Sequence, residues 1–500
     1  MKKLTSIFAI AVLLGLAACS EAWLEIEPRG TELETNFYQN EEQVFQGLVA
    51  IYDVLQWGGS NGDWTMKTGL LNTASDDCYA GGSDASDQPS WVAWDQFNLD
   101  PFLGPQQGLW IKNYSGIYRA NLLLEKIDQT EGIDEAFLNR VSAEAKFLRA
   151  YFYFDLIRFF RNVPLITGPL GADDLYTQEQ ANPEDVYAFV VQDLEDAIGT
   201  FELPDQVGAA EAGRVTTGAA KALLGKVLLY RGDNASLSEA ATLFQEVINS
   251  GFYDLEPNFG DIFTKDKEFG IESVFEISYS AEQRGGWENF VNGTEGNYNV
   301  QFFGIRDYVG PDFSPGWGFC PVTEDLEAFM QGDPRYEHTI IDVDAIPGAS
   351  YSEGYQHTGF FIRKYAPIEA EKAPDGEPAL NWSNNIREIR FADVLLMAAE
   401  ALVRSGGDQT LAQDYLNRVR DRVGLGPVTA TGQALLDAIY TERRMELATE
   451  GHRFFDLVRT GRAQQVLADE GFVAGKHEVL PIPQTEIDIT NGTLEQNPNY

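Results

Sequence analysis

Residues 390–419 read RFADVLLMAAEALVRSGGDQTLAQDYLNRV, and residues 219–247 read AAKALLGKVLLYRGDNASLSEAATLFQEV. In the first stretch Ala392, Leu395, Ala398, Ala399 and Ala401 share one helical face, Gly406 breaks the run, and Ala412, Tyr415, Leu416 and Val419 begin another. In the second, Ala219, Ala220, Leu223, Gly225, Leu228 and Tyr230 lead to Gly232, then Ala240, Ala241, Phe244 and Val247. Small residues at facing positions let paired helices approach closely. A helix, a glycine turn and an antiparallel helix with an early Ala is the pattern of the tetratricopeptide unit, and also of a generic helical hairpin. Both stretches predict a mostly α fold built from helix pairs.

The periodicity extends outward. Val44, Leu48, Ile51 and Leu55 mark a helix over Glu41–Gln56. Further helices are predicted over Gly108–Ile127 and over Ile133–Phe160, the latter stopped by Asn162-Val163-Pro164. Asn182-Pro183-Glu184-Asp185 reads as an N-cap, a first-turn Pro and acids that complement the helix dipole. Between these helices, residues 57–105 are rich in Gly, Ser, Asp and Trp and lack periodicity. A loop-rich stretch of that length is usually functional. The chain divides into N-terminal helices (37–255), an irregular insert (256–385), C-terminal helices (386–467) and an extended tail (468–500). The insert carries strand-like runs, Val274-Phe275-Glu276-Ile277 and Phe360-Phe361-Ile362.

The N-terminus concerns export. Lys2 and Lys3 precede an apolar run from Ile7 to Ala18, the length of a signal h-region and too short for a stable membrane span. The run ends Leu16-Ala17-Ala18-Cys19, a bacterial lipobox. Residues 1–18 are therefore expected to be a signal peptide, and Cys19 the site of lipidation; several acyl chains anchor where one binds only marginally. An ordinary secretory signal with an incidental Cys is the alternative. Residues 20–36 read as an extended leader, with acids among Trp23, Leu24, Ile26 and Pro28. The net charge of −41 repels phosphate backbones and anionic lipid, so nucleic acid is a poor partner and membrane contact rests on the anchor. Cys78 and Cys320 remain; sequence leaves open whether they pair.

No G-x-S-x-G, P-loop, H-E-x-x-H or dinucleotide-binding glycine fingerprint is present. His338, His357, His452 and His477 lack metal-ligand spacing, so no metal and no cofactor is expected. The acids from Asp76 to Asp87 supply hard oxygens suited to calcium, but without EF-hand spacing. The distinctive feature is aromatics in irregular regions: Trp57, Trp64, Tyr79, Trp91 and Trp94 in the first, and Trp287, Tyr298, Phe302, Phe303 and Trp317 in the insert. A sugar ring offers a C–H face that a flat aromatic covers, while Asp, Asn and Arg bond its hydroxyls. Asn72, Asp76, Asp77, Asp84 and Asp87 lie among the first set. The same aromatics can instead clamp loops onto the helical body.

Taken in order, the motifs resemble the SusD/RagB family of surface nutrient-binding lipoproteins. The likeness runs from Cys19 and Trp23-Leu24-Glu25-Ile26-Glu27-Pro28 through Ser75-Asp76-Asp77 and Glu144-Ala145-Lys146-Phe147-Leu148-Arg149-Ala150-Tyr151. It continues with Gly316-Trp317-Gly318, Gly332-Asp333-Pro334-Arg335 and Arg390-Phe391-Ala392-Asp393, then Glu442-Arg443-Arg444-Met445-Glu446-Leu447. It closes with Gly451-His452-Arg453-Phe454-Phe455-Asp456 and Gln496-Asn497-Pro498-Asn499-Tyr500. Lys146 and Cys320 depart from the usual pattern. The resemblance implies about four tetratricopeptide-like helix pairs with a loop-rich ligand-binding insert. It implies a non-catalytic outer-membrane lipoprotein that captures a glycan, or a peptide, for a SusC-like TonB-dependent transporter. The charged residues Glu442, Arg443, Arg444, Arg453 and Asp456 would then hold helices together. Ligand contacts do not transfer individually, so the candidates are Trp64, Asn72, Asp77, Tyr79, Trp91, Trp94, Trp287, Tyr298 and Trp317, though the place of Trp317 in a family motif favours packing over recognition. A surface glycoside hydrolase and a pure adaptor are the competing readings; the first needs two convergent carboxylates in a cleft.

Overall fold

The computed structural model describes residues 37–500 apart from 61–62, 172, 283–284, 289–293 and 491. The signal peptide, Cys19 and the leader lie outside the described residues. The first layer contains α1 (Glu41–Gln56), the hairpin β1 (Gly59–Ser60) and β2 (Asp63–Trp64), α2 (Lys67–Thr73), α3 (Pro89–Asp95) and α4 (Gln106–Gln129). Next come α5 (Glu135–Phe160) and α6 (Pro183–Gly199), then α7 (Thr217–Arg231) and α8 (Asn234–Asn249). The insert holds β3 (Ser273–Ile277), α9 (Tyr298–Phe303), α10 (Glu324–Met330), α11 (Tyr336–Thr339), β4 (Ile340–Asp342) and β5 (Phe360–Ile362). After β6 (Ile386–Arg390) follow α12 (Phe391–Ser405), α13 (Gln409–Arg422), α14 (Gln433–Leu447), α15 (Arg453–Arg459), α16 (Ala463–Val466) and α17 (Gln484–Ile489).

Four helix pairs stack in sequence: α1 with α4, α5 with α6, α7 with α8, and α12 with α13. The fold is therefore mostly α, with tetratricopeptide-like pairs. Local chemistry sets their ends. Asp134, Asn182, Thr216, Asp233 and Asp408 each accept a backbone N–H at a helix start. Gly232 and Gly406 end α7 and α12 with φ of 74° and 75°, the left-handed conformation a side chain resists. α8 packs directly on α12, so the insert loops out between neighbouring layers. The antiparallel pair β3–β6, in register Ser273↔Arg390 to Ile277↔Ile386, closes the base of that loop.

Two sequence boundaries change. The stretch read as loop contains α2 and α3, the latter begun by Pro89 at its first turn. The tail read as extended carries α17, which follows directly on Pro483. Cys78 and Cys320 are buried free thiols on the antiparallel segments 78–82 and 318–322.

Buried charge ties the insert to the last helices. Arg390 bonds Glu272 (2.6 Å), Glu446 (2.9 Å) and Glu450 (2.8 Å). Arg335, 0% exposed, bonds Asp333, Glu442 and Glu446. Arg444 and Arg453 reach across to Asp77 and Asp76 of the first layer. Ions this deep persist only because each has several partners. Among the described residues, no helix is long and apolar enough to cross a membrane.

Candidate functional site

The hairpin β1–β2, the helix α9 and residues 316–319 converge at one face. Residues 316–319 run against the end of α9: Gly316 N–H donates to Ile305 O, Trp317 N–H to Gln301 O, Gly318 N–H to Gly304 O and Phe319 N–H to Phe302 O, all at 2.8–2.9 Å. This approach explains the glycines of Gly316-Trp317-Gly318. A Cβ on Gly316 would stand 2.3 Å from Gly304 Cα, closer than any packing allows.

The clamp presents three indoles. Trp287, 47% exposed, stacks on Trp317 with centroids 5.9 Å apart and planes 23° apart. Trp317 meets half-buried Trp64 at 5.9 Å and 67°. Beneath them the buried Phe302 ring touches Trp64 (5.2 Å), Trp317 (5.0 Å) and Trp91 (5.2 Å). Tyr298 stands edge-on to Trp64 at 5.3 Å and is itself buried. Half-buried Arg306 donates from Nη1 to Trp317 O (3.1 Å) and lies close enough to Asp84 to help hold that carboxyl below its ordinary range, after the Ser86 hydrogen bonds. The face thus combines exposed ring surface with a cation and a carboxylate at its edge, the chemistry that grips a sugar ring.

Other candidates fall elsewhere. Trp91 is fully buried and donates from Nε1 to Trp64 O (2.8 Å), so it supports the hairpin from below and offers no ring face. Trp94 is buried against Phe159 and Phe454. Both lie on one inward face of α3, which its first-turn Pro makes helical. Asn72 is a buried clamp, donating to Thr449 O and accepting from Gly451 N–H. Asp77 is buried against Arg444, and its backbone oxygen accepts from Thr323 N–H. Tyr79 donates to Glu324 (3.3 Å) and makes no ring contact with the three tryptophans among the described residues. Asn72, Asp77, Trp91, Trp94 and Tyr298 are thus buried side chains with packing or hydrogen-bond partners inside the fold.

Arg306 went unnamed by the sequence reading, although it is a lone cation between two aromatic runs. Among the described residues, no group of three or more His, Cys, Asp or Glu side chains is placed to hold a metal ion.

A family model described as the SusD family matches residues 271–500, and one described as starch-binding associating with outer membrane matches residues 22–229. SusD-like protein P38 of Formosa agariphila is 27% identical, with all of each chain covered. The starch-binding protein SusD of Bacteroides thetaiotaomicron is 26% identical over 75% of each chain. Among solved structures, a laminarin binding SusD-like protein aligns with a TM-score of 0.86 at 42% identity, covering 93% of this chain and 100% of that one. Surface glycan-binding protein A from Bacteroides thetaiotaomicron, in complex with laminarihexaose, gives 0.84 at 31% identity, covering 92% and 100%.

Proposed function

The chain belongs to the SusD family, and from that premise we propose that it captures a laminarin-type glucan on the platform of Trp64, Trp287 and Trp317 without cleaving it. The observation that carries the reading is the exposed Trp287 ring stacked on Trp317. Such a pair costs little entropy to hold in place and offers a rigid apolar face to successive sugar rings. Support for the ligand class comes from the laminarin binder and the laminarihexaose complex, both above 30% identity. Capture at the outer surface, lipidation at Cys19 and hand-over to a SusC-like TonB-dependent transporter complete the proposal. Mass spectrometry of the N-terminal peptide from membranes is expected to find acylated Cys19; an unmodified residue there removes the anchor.

Calorimetry with laminarihexaose, on the chain lacking residues 1–19, tests the ligand. Binding without new reducing ends is expected. Trp287→Ala is expected to weaken it about tenfold, ~1.4 kcal/mol, with an unchanged melting temperature because the ring is half exposed. Cleavage of the hexaose would end the non-catalytic reading. Silence toward glucans, with binding to an extended peptide, would replace the glycan by a peptide.

A further inference from the structure

Beneath the platform lies a lysine that packing rules disfavour. α4 places Lys112 at a chamber of about 20 Å³, shared with Lys67, Tyr151, Asp155, Asn299 and Glu388. Lys67 has its carboxylates there, Asp155 at 3.2 Å and Glu388 at 2.7 Å. Lys112 has none: among the described residues its Nζ donates to two backbone carbonyls, Leu55 O at 2.9 Å and Trp57 O at 2.7 Å. Burial, and next the Lys67 charge, pull its ammonium down to about 7. Asp155 and Glu388 act on it only at a distance, and an ammonium kept inside protein with no carboxylate in contact costs free energy that an apolar residue would not.

The two carbonyls supply the reason. They stand at the C-terminal end of α1, where a helix leaves its last C=O groups without intrahelical donors and where a cation is favoured. Trp57 caps that helix, Gly58 follows, and the hairpin begins at Gly59. Gly58 O then accepts from Thr65 N–H at 2.8 Å, closing the base of the hairpin. The direction in which the chain leaves α1 is therefore set at Lys112 Nζ. The far strand is held at Trp64 O by Trp91. Between these fixed points stands the Trp64 ring, against Trp317 and Tyr298.

We propose that Lys112 is a positioning residue for ligand capture: by binding the carbonyl end of α1 it fixes the Trp64 hairpin against Trp317. The proposal rests on the platform being the ligand surface. It acts through two hydrogen bonds, so donors matter and charge alone does not.

Lys112→Met keeps an unbranched apolar stem, one atom shorter, and removes the donors. Lys112→Gln keeps two N–H donors on one nitrogen and removes the charge. In Lys112→Met, laminarihexaose affinity is expected to fall about tenfold, and amide exchange across residues 58–66 to quicken without ligand, with only a small change in melting temperature, since two carbonyls lose their donor as a desolvated ammonium is removed. Lys112→Gln is expected to restore both. Unchanged exchange at 58–66 in Lys112→Met overturns the proposal, and so does a Gln variant that behaves like Met. If the unaltered chain fails to bind laminarihexaose, the platform reading falls, while the exchange comparison still decides whether Lys112 holds the hairpin.

Discussion

Arg390→Met is expected to lower the stability of the chain by about 3–5 kcal/mol, read as a shift in the urea midpoint. Arg390 joins β6 to α12 and is 1% exposed. Its guanidinium faces Glu272 from the insert and Glu446 and Glu450 from the C-terminal helices. Removing it leaves three carboxylates with fewer donors in a site that water does not reach. Arg422 still serves Glu272 and Glu446, Arg335 serves Glu446, and Lys364 serves Glu450, which keeps the loss from being larger. Arg390→Lys keeps the charge but not the planar fork, so only partial recovery is expected. A Met variant with an unchanged midpoint would mean that the network contributes nothing net.

The same cluster sets an acid limit. Burial pushes the Glu446 carboxyl up, but Arg422, Arg390 and Arg335 together pull it well below its ordinary range. At Glu388, burial likewise opposes Lys67 and Lys226, which prevail and bring the carboxyl to about 2. A carboxyl depressed in the fold stabilises fully above its unfolded value, 4.5 for glutamate. That contribution is lost as pH falls through the folded value. Stability measured by urea at stepped pH is thus expected to decline between about pH 4.5 and pH 2.

The second large effect belongs to Trp317. Trp317→Ala is expected to weaken laminarihexaose binding about a hundredfold, ~2.7 kcal/mol, and to lower stability by about 2 kcal/mol. Its ring touches both other indoles and Phe302, so truncation removes one binding face and unseats the two beside it. Trp91→Ala bears on both, because Trp91 also holds the Trp64 strand through Trp64 O. With its buried ring lost, it is expected to cost stability, about 3–5 kcal/mol, while leaving the Trp287–Trp317 stack in place. Retention of full affinity in Trp317→Ala would remove the platform from ligand capture altogether.

The helix pairs were legible because their period repeats and because Gly232 and Gly406 mark ends that only a left-handed residue makes cheap. Exposure of individual tryptophans was not legible. Trp91 and Trp94 sit three residues apart, a helical spacing concealed by the Gly- and Asp-rich surroundings of α3. Trp287 and Trp317 are thirty residues apart, and the second reaches α9 through backbone bonds that the close Gly304–Gly316 approach permits. Lys112 lies in the helix predicted over Gly108–Ile127, where nothing in the sequence singles it out. Its function comes from two carbonyls on another helix, which no periodicity encodes.

The packing of α8 on α12 carries a consequence for how the chain is made. The second and third helix pairs join helices close in sequence and can assemble as they emerge, the first closes over residues 57–105, and docking of the fourth on α8 must wait for some 140 residues to pass. Closing so long a loop costs only a little more entropy than closing one half its length, but the search is slow. Until α12 arrives, the face of α8 that packs on it has no covering layer. An intermediate with that face bare is the species on which a chaperone would act, and its lifetime sets the yield of folded chain.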